Sequence, residues 1–142
     1  MSTAARMVRS PDSTSREIIR AAMKVHTAVG PGLLESAYEA FLSFELQRSG
    51  LSVRSQVGFP AVYEGVRLEL GYRVDLLVEN VVIVELKCVE AILPVHKAQL
   101  LSYLRLNGKP LGLLINFHVE RLKDGIRRVV NGYSWKDPTH PS

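Results

Sequence analysis

The sequence predicts a single α/β domain, and three observations carry that prediction. Apolar residues recur at helical spacing from about residue 14 to residue 49. From Leu51 to about Val89 the texture changes to short Val- and Tyr-rich runs broken by turn formers. A proline-initiated helical stretch then leads into "LGLLINF" (111–117), the kind of short apolar run that a strand buried on both faces displays. At 142 residues the chain has the size of one domain with one core.

The first helix is expected to begin at a capping box formed by Thr14 and Glu17, and Ile18, Ile19, Ala22, Met23 and Val29 give it an apolar stripe. "GPG" at 30–32 ends it. A second helix is expected from Leu33 to about Ser49, with Leu34, Ala37, Tyr38, Phe41, Leu42 and Leu46 inward and Gly50 as its stop, so the pair forms a helical hairpin. Three or four strands then fit between residues 51 and 89, with turns at Gly58-Phe59-Pro60, Glu64-Gly65 and Glu79-Asn80. Pro94 opens a third helix that Gly108 closes, and a last strand fits 126–130. Residues 1–12 are expected to be a flexible segment, 13–130 the domain, and 131–142 an irregular tail.

Composition narrows the function classes. Hydrophobic residues at 46% and charged residues at 23% are ordinary globular usage, which argues against a disordered or fibrous chain. The lone cysteine, Cys88, cannot form an internal disulfide, and no Cys/His cluster has zinc spacing, which favours a reducing, cytoplasmic setting. No signal-like or membrane-spanning stretch is found, so no membrane partner is expected. Eighteen Lys and Arg against fourteen Asp and Glu, a formal charge of +4, permit a polyanionic partner.

The stretch "GYRVDLLVENVVIVELK" (71–87) carries the chemistry. Two registers are open to this hairpin. A two-residue turn at Glu79-Asn80 mixes charges and aliphatics on both faces. A three-residue connection through Val81 sorts them: Tyr72, Val74, Leu76, Val78, Val82, Val84, Leu86 and Cys88 on one face, Arg73, Asp75, Leu77, Ile83, Glu85 and Lys87 on the other. The second register is the expected one, with Asn80 taking the left-handed conformation that such a connection needs. It sets Asp75 opposite Glu85. At a β-carbon separation of about 5 Å and an effective dielectric of about 20, two such charges repel by a few kcal/mol. A salt-bridge ladder with Arg73 and Lys87 is one answer to that repulsion. The other is a divalent cation, for which two carboxylates beside a lysine suit phosphodiester hydrolysis.

The residues Asp75 and Glu85-Leu86-Lys87 resemble the D…(D/E)xK core of the PD-(D/E)XK nuclease superfamily. "GLLESAY" at 32–38 resembles the Gly-x-x-Glu-x-x-Tyr signature of its GxxExxY group, and "QLLSY" at 99–103 the QxxxY element of RecB-type members. The resemblance covers roughly residues 14–120. It implies a restriction-endonuclease-like fold: an antiparallel meander plus a further strand in a mixed central sheet flanked by helices. It also implies Mg²⁺ or Mn²⁺ held by Asp75, Glu85 and the Leu86 carbonyl, with Glu35 joining directly or through water, Lys87 as the catalytic lysine, and Gln99 and Tyr103 bracing the site or touching the scissile strand. The expected partner is nucleic acid, DNA before RNA, with a homodimer or a partner protein helping to choose the substrate. The alternative is a catalytically silent nucleic-acid-binding or accessory module on the same scaffold.

Outside the motifs, Arg16, Arg20 and Lys24 form a basic stripe on the first helix that can face solvent or phosphate, and Arg121, Lys123, Arg127 and Arg128 form a second cluster. His96, one turn before Gln99, is open between a surface and a site role.

Overall fold

The structure is a computed structural model that describes residues 9–132. The greater part of the expected flexible segment, and the tail from residue 133 with Trp135, lie outside the described residues. Helix α1 (Pro11–Val29) starts three to four residues earlier than the Thr14–Glu17 capping box would place it. Ser10 is the cap: its hydroxyl accepts from Ser13 N at 3.0 Å, and Pro11 follows, where a missing N–H does no harm. Thr14 instead lies buried in the first turns. Helix α2 spans Glu35–Arg48.

Strands β1 (Val53–Tyr63), β2 (Val66–Val78) and β3 (Val82–Lys87) form an antiparallel meander. Gly58-Phe59-Pro60 makes no turn; β1 runs through it, and the irregularity it creates is a register shift between Phe59 and Ala61. Helix α3 (Pro94–Asn107) crosses over to β4 (Leu111–Asn116), which pairs parallel with β3, and β5 (Ile126–Val130) returns antiparallel after a short 3₁₀ turn. Among the described residues the result is a mixed five-stranded sheet in the order β1-β2-β3-β4-β5. Gly108 closes α3 in the left-handed conformation, as its sequence position predicts.

The sheet buries two cores. On one face Ile18, Ala22, Val25, Tyr38, Leu42 and Leu46 of α1 and α2 pack on Leu76, Val78, Val82, Val84, Leu86, Leu113 and Ile115. On the other, Leu100, Leu101 and Leu104 of α3 pack on Val57, Val74, Leu77, Ile83 and Leu114. Each fully buried aliphatic contributes about 1.5–3 kcal/mol to holding these layers. Strand β4 is buried along its whole length because it is covered on both faces. Met23, Val29, Leu34 and Phe41, expected inward, stand exposed, Leu34 at 77%. The two helices meet the sheet through a narrower stripe than their apolar residues offer.

The hairpin register is the three-residue one. Val78 faces Val82, Leu77 faces Ile83 and Leu76 faces Val84. Asn80 is left-handed as expected, and so is Glu79. The face sorting holds from Leu76 to Leu86, but Tyr72 and Val74 lie with the α3 core rather than with Leu76. The same switch occurs on β1, where Val53 packs on the α1–α2 side and Val57 on the α3 side. Register is unchanged across the break, Ser55 facing Leu76 and Val57 facing Val74. The two-strand ribbon therefore turns over as a unit at Gln56 and Asp75.

A candidate metal and phosphodiester site at a fork in the sheet

Strand β2 leaves β3 after the Leu76–Val84 pair and continues with β1, while β3 stays with β4 through Lys87–Asn116. A fork opens between them, and Asp75 and Glu85 stand at its apex. There the side chains replace the ladder: Asp75 N donates to Glu85 Oε2 at 2.8 Å, and Leu86 N donates to Asp75 Oδ2 at 2.8 Å. Each carboxylate is thus fixed by the other strand's backbone through one oxygen. The second Asp75 oxygen, Oδ1, accepts from Gln56 Nε2 at 3.2 Å.

Glu85 is 8% exposed. Burial, and next the Asp75 charge, push its carboxyl up to about 7, against the pull of the Asp75 N–H and of Lys87. Two carboxyl groups this close, one largely desolvated, attract a cation. Among the described residues no three His, Cys, Asp or Glu side chains converge closely enough to enclose an ion by themselves. The donor set nonetheless fits a hard divalent ion such as Mg²⁺, which takes one or two carboxylates and keeps several waters.

The remaining expected residues fall in three groups. Lys87 closes β3 within electrostatic reach of Glu85. Tyr103 is drawn in as well: burial, then the Glu85 and Asp75 charges, raise its phenol, while a hydrogen bond from Gln99 lowers it. Tyr72 supports that ring, stacked on it at 4.3 Å and bonding Tyr103 O at 3.1 Å through its hydroxyl. Glu35 adds its charge to the cluster, and its Oε2 accepts from Cys88 N at 3.3 Å, just beyond Lys87. The geometry leaves Glu35 at the edge of the site. By contrast, Arg20 pairs with Glu17 at 3.1 Å and Lys24 with Glu45 at 3.2 Å. Glu45 lies ten residues along α2 from Glu35, about 15 Å at 1.5 Å per residue, so Lys24 is held toward the end of α2 away from Glu35, and Arg16 is exposed. His96 is a helix cap: its Nδ1 accepts from Leu93 N at 2.9 Å. In the second basic cluster Arg128 pairs with Asp12 at 2.6 Å.

Tyr38 serves the site indirectly. Its ring is buried and stacked at 4.2 Å on Phe117, while its hydroxyl donates to Gly30 O and accepts from Leu33 N at 3.1 Å. The residue before α2, Leu34, has no side-chain cap, so this hydroxyl fixes the loop that presents Glu35.

Three residues near the site were not read from the sequence. Glu39 lies one turn after Glu35 and accepts from Gln56 Nε2 at 2.7 Å; burial first, and then the Asp75 and Glu35 charges, raise its carboxyl despite that bond. The four-residue Glu35–Glu39 spacing was its signal. Gln56 had none. Asn116, 1% exposed, clips the chain after Lys87: its Nδ2 donates to Val89 O at 2.8 Å and its Oδ1 accepts from Val89 N at 3.1 Å. Gly125 packs on the same point, where an added β-carbon would stand 2.2 Å from Asn116 O. Gly125→Ala is expected to lower stability by about 2–3 kcal/mol, read as a reduced denaturation midpoint.

A mixed sheet carrying Asp75 and Glu85-x-Lys87 at its fork defines the nuclease class that the motifs resemble. The chain belongs to the PD-(D/E)XK nuclease superfamily, whose family model matches residues 12–129. The crystal structure of SSO0001 superposes with a TM-score of 0.52 at 18% identity, covering 86% of this chain. At that identity the likeness concerns the fold, and this chain spans 65% of the length of SSO0001. No curated protein matches the sequence significantly. Among the described residues no helix is long and apolar enough to cross a membrane.

Proposed function

We propose that the chain is a divalent-cation-dependent nuclease of the GxxExxY group that hydrolyses phosphodiester bonds of DNA, with RNA as the second substrate class. The observation that carries this reading is the mutual Asp75–Glu85 fixation at the fork, which holds two carboxyl groups against each other at one point. Asp75, Glu85 and the Leu86 carbonyl would hold Mg²⁺ or Mn²⁺, with Glu35 acting through water. Bound there, the ion supplies Lewis acidity toward a phosphoryl oxygen and lowers the pKa of water.

The chain's own residues do the rest. Lys87 orients the attacking water and stabilises charge on the phosphate as it becomes five-coordinate. Tyr103, held by Tyr72 and Gln99, supplies a hydroxyl at the side of the fork to position the scissile strand. Arg16, Arg20 and Lys24 are proposed as outlying phosphate contacts. A homodimer or partner protein would add substrate choice to so small a domain. The direct test is a cleavage screen on single-stranded, duplex and branched DNA and on RNA, with Mg²⁺, Mn²⁺ or chelator. Cation-dependent cutting of one class is expected; cutting unaffected by chelator contradicts the reading.

The position of Glu85 sets a pH dependence. Its folded pKa of about 7 lies above the ordinary 4.5, so the fold binds a proton that the unfolded chain releases between these values. The stability it contributes is therefore full below pH 4.5 and lost as pH rises to about 7. Cation-free protein is expected to be less stable at pH 8 than at pH 5 by on the order of 2 kcal/mol from this group, with added Mn²⁺ restoring stability at pH 8. Chemical denaturation at the two pH values, with and without Mn²⁺, measures it.

A further inference from the structure

Gln56 sits where the β1–β2 ribbon turns over, and its backbone is left-handed at φ 52 in the middle of a strand. The ladder pairs Ser55 with Leu76 and Val57 with Val74, yet Gln56 and Asp75 between them make no pair. Glutamine has no intrinsic reason to adopt that conformation, which glycine, asparagine and aspartate tolerate better. A strained residue at this point in a strand persists only if the surrounding structure holds it there.

What the strained backbone achieves is visible in the side chain. The Gln56 amide nitrogen reaches Glu39 Oε1 at 2.7 Å and Asp75 Oδ1 at 3.2 Å. Glu39 belongs to α2, the helix whose first residue is Glu35, and Asp75 belongs to β2. Asp75 would otherwise be fixed through Oδ2 alone, by Leu86 N. One amide therefore ties the helix that presents Glu35 to the strand that presents Asp75. It also places two N–H dipoles between carboxylates that would otherwise repel.

We propose that Gln56 is a positioning residue of the active site: through its amide it aims the Asp75 carboxylate into the fork and locks α2, by way of Glu39, against the sheet. The inference rests on the cation-binding reading of Asp75 and Glu85, and its test separates the two. Neither Gln56 nor Glu39 needs to touch the ion or the substrate. A carboxylate pinned by outer contacts holds a metal more tightly because less freedom is lost on binding.

The experiment is calorimetric titration of Mn²⁺ into the wild-type chain, Gln56→Gly and Gln56→Ala, with melting temperatures taken without metal. Gln56→Gly removes the amide and relieves the left-handed backbone, so its melting temperature is expected at or above the wild-type value while Mn²⁺ affinity falls about tenfold or more. A residue kept only for sheet structure would behave in the opposite way. Mn²⁺ affinity unchanged in both variants overturns the proposal. The metal-free arm adds a cycle of Gln56→Ala, Glu39→Ala and the double variant. A double-variant melting shift close to that of one single variant is expected, because all three lose the same bond; strictly additive shifts overturn it. If the wild-type chain binds no Mn²⁺, the cation reading fails, and the cycle still decides whether Gln56 links α2 to β2.

Discussion

Asp75→Asn is expected to abolish cation binding and reduce cleavage by at least about a thousandfold, while making the cation-free protein more stable at pH 8. The two effects have one cause. Asparagine keeps an oxygen to accept from Leu86 N, so the contact now at 2.8 Å survives. What disappears is the charge facing Glu85, and with it the second-largest influence that raises the Glu85 carboxyl, together with the weaker 3.2 Å bond that Gln56 donates to the oxygen replaced by NH2. Relief of a cross-strand like-charge pair stabilises by about 1 kcal/mol. An inactive variant that melts higher is the signature expected of a site that holds strain for function. A salt-bridge ladder makes the opposite forecast: Asp75→Asn would then lose stability, and Mg²⁺ would leave the wild-type melting temperature unmoved. Melting curves and cleavage rates of the two proteins, each with and without Mg²⁺, separate these accounts.

Lys87→Met should separate binding from chemistry. Methionine keeps most of the apolar stem of a half-buried residue at the end of β3, so the fold and the Asp75–Glu85 pair remain. Removal of a cation from beside two carboxylates does not reduce their attraction for Mn²⁺. Cation affinity should therefore stay within a few-fold of wild type, while the rate falls about a hundred- to ten-thousandfold, the range for losing one positioned proton-handling or charge-stabilising group. Equal losses of affinity and rate would assign Lys87 a structural place instead. Single-turnover cleavage at saturating Mn²⁺ makes the distinction.

The hairpin shows how far the sequence alone reaches. Alternation of Val, Leu and Ile with charges decided the register from Leu76 to Leu86, because a slip by one residue would invert every side chain. The same rule misplaced Tyr72 and Val74, since parity assumes a ribbon of even twist and this one turns over at Asp75. No residue type marks that turn. Its agent is a glutamine in a glycine-like conformation, which only tertiary contacts can enforce. The helices were legible in number and order from their punctuation. Their buried faces were less so: Leu34 and Phe41 have the right spacing but, among the described residues, no layer above them. Asp75, Glu85 and Lys87 stand out in the sequence because charge in an apolar hairpin demands a reason. Glu39 and Asn116 do not, because a helix glutamate and a strand-end asparagine each have an ordinary surface explanation.

The most direct measurement is the number of protons released when Mn²⁺ binds near pH 7, taken from calorimetric titrations in buffers of different ionisation enthalpy. A cation that enters between Asp75 and a Glu85 poised at about 7 must displace part of a proton, so the account predicts release of roughly half a proton at pH 7, falling toward none at pH 9. Asp75→Asn should show neither heat nor proton release. Binding of equal strength in that variant would mean that the ion sits elsewhere, and the fork would lose its claim to be the catalytic centre.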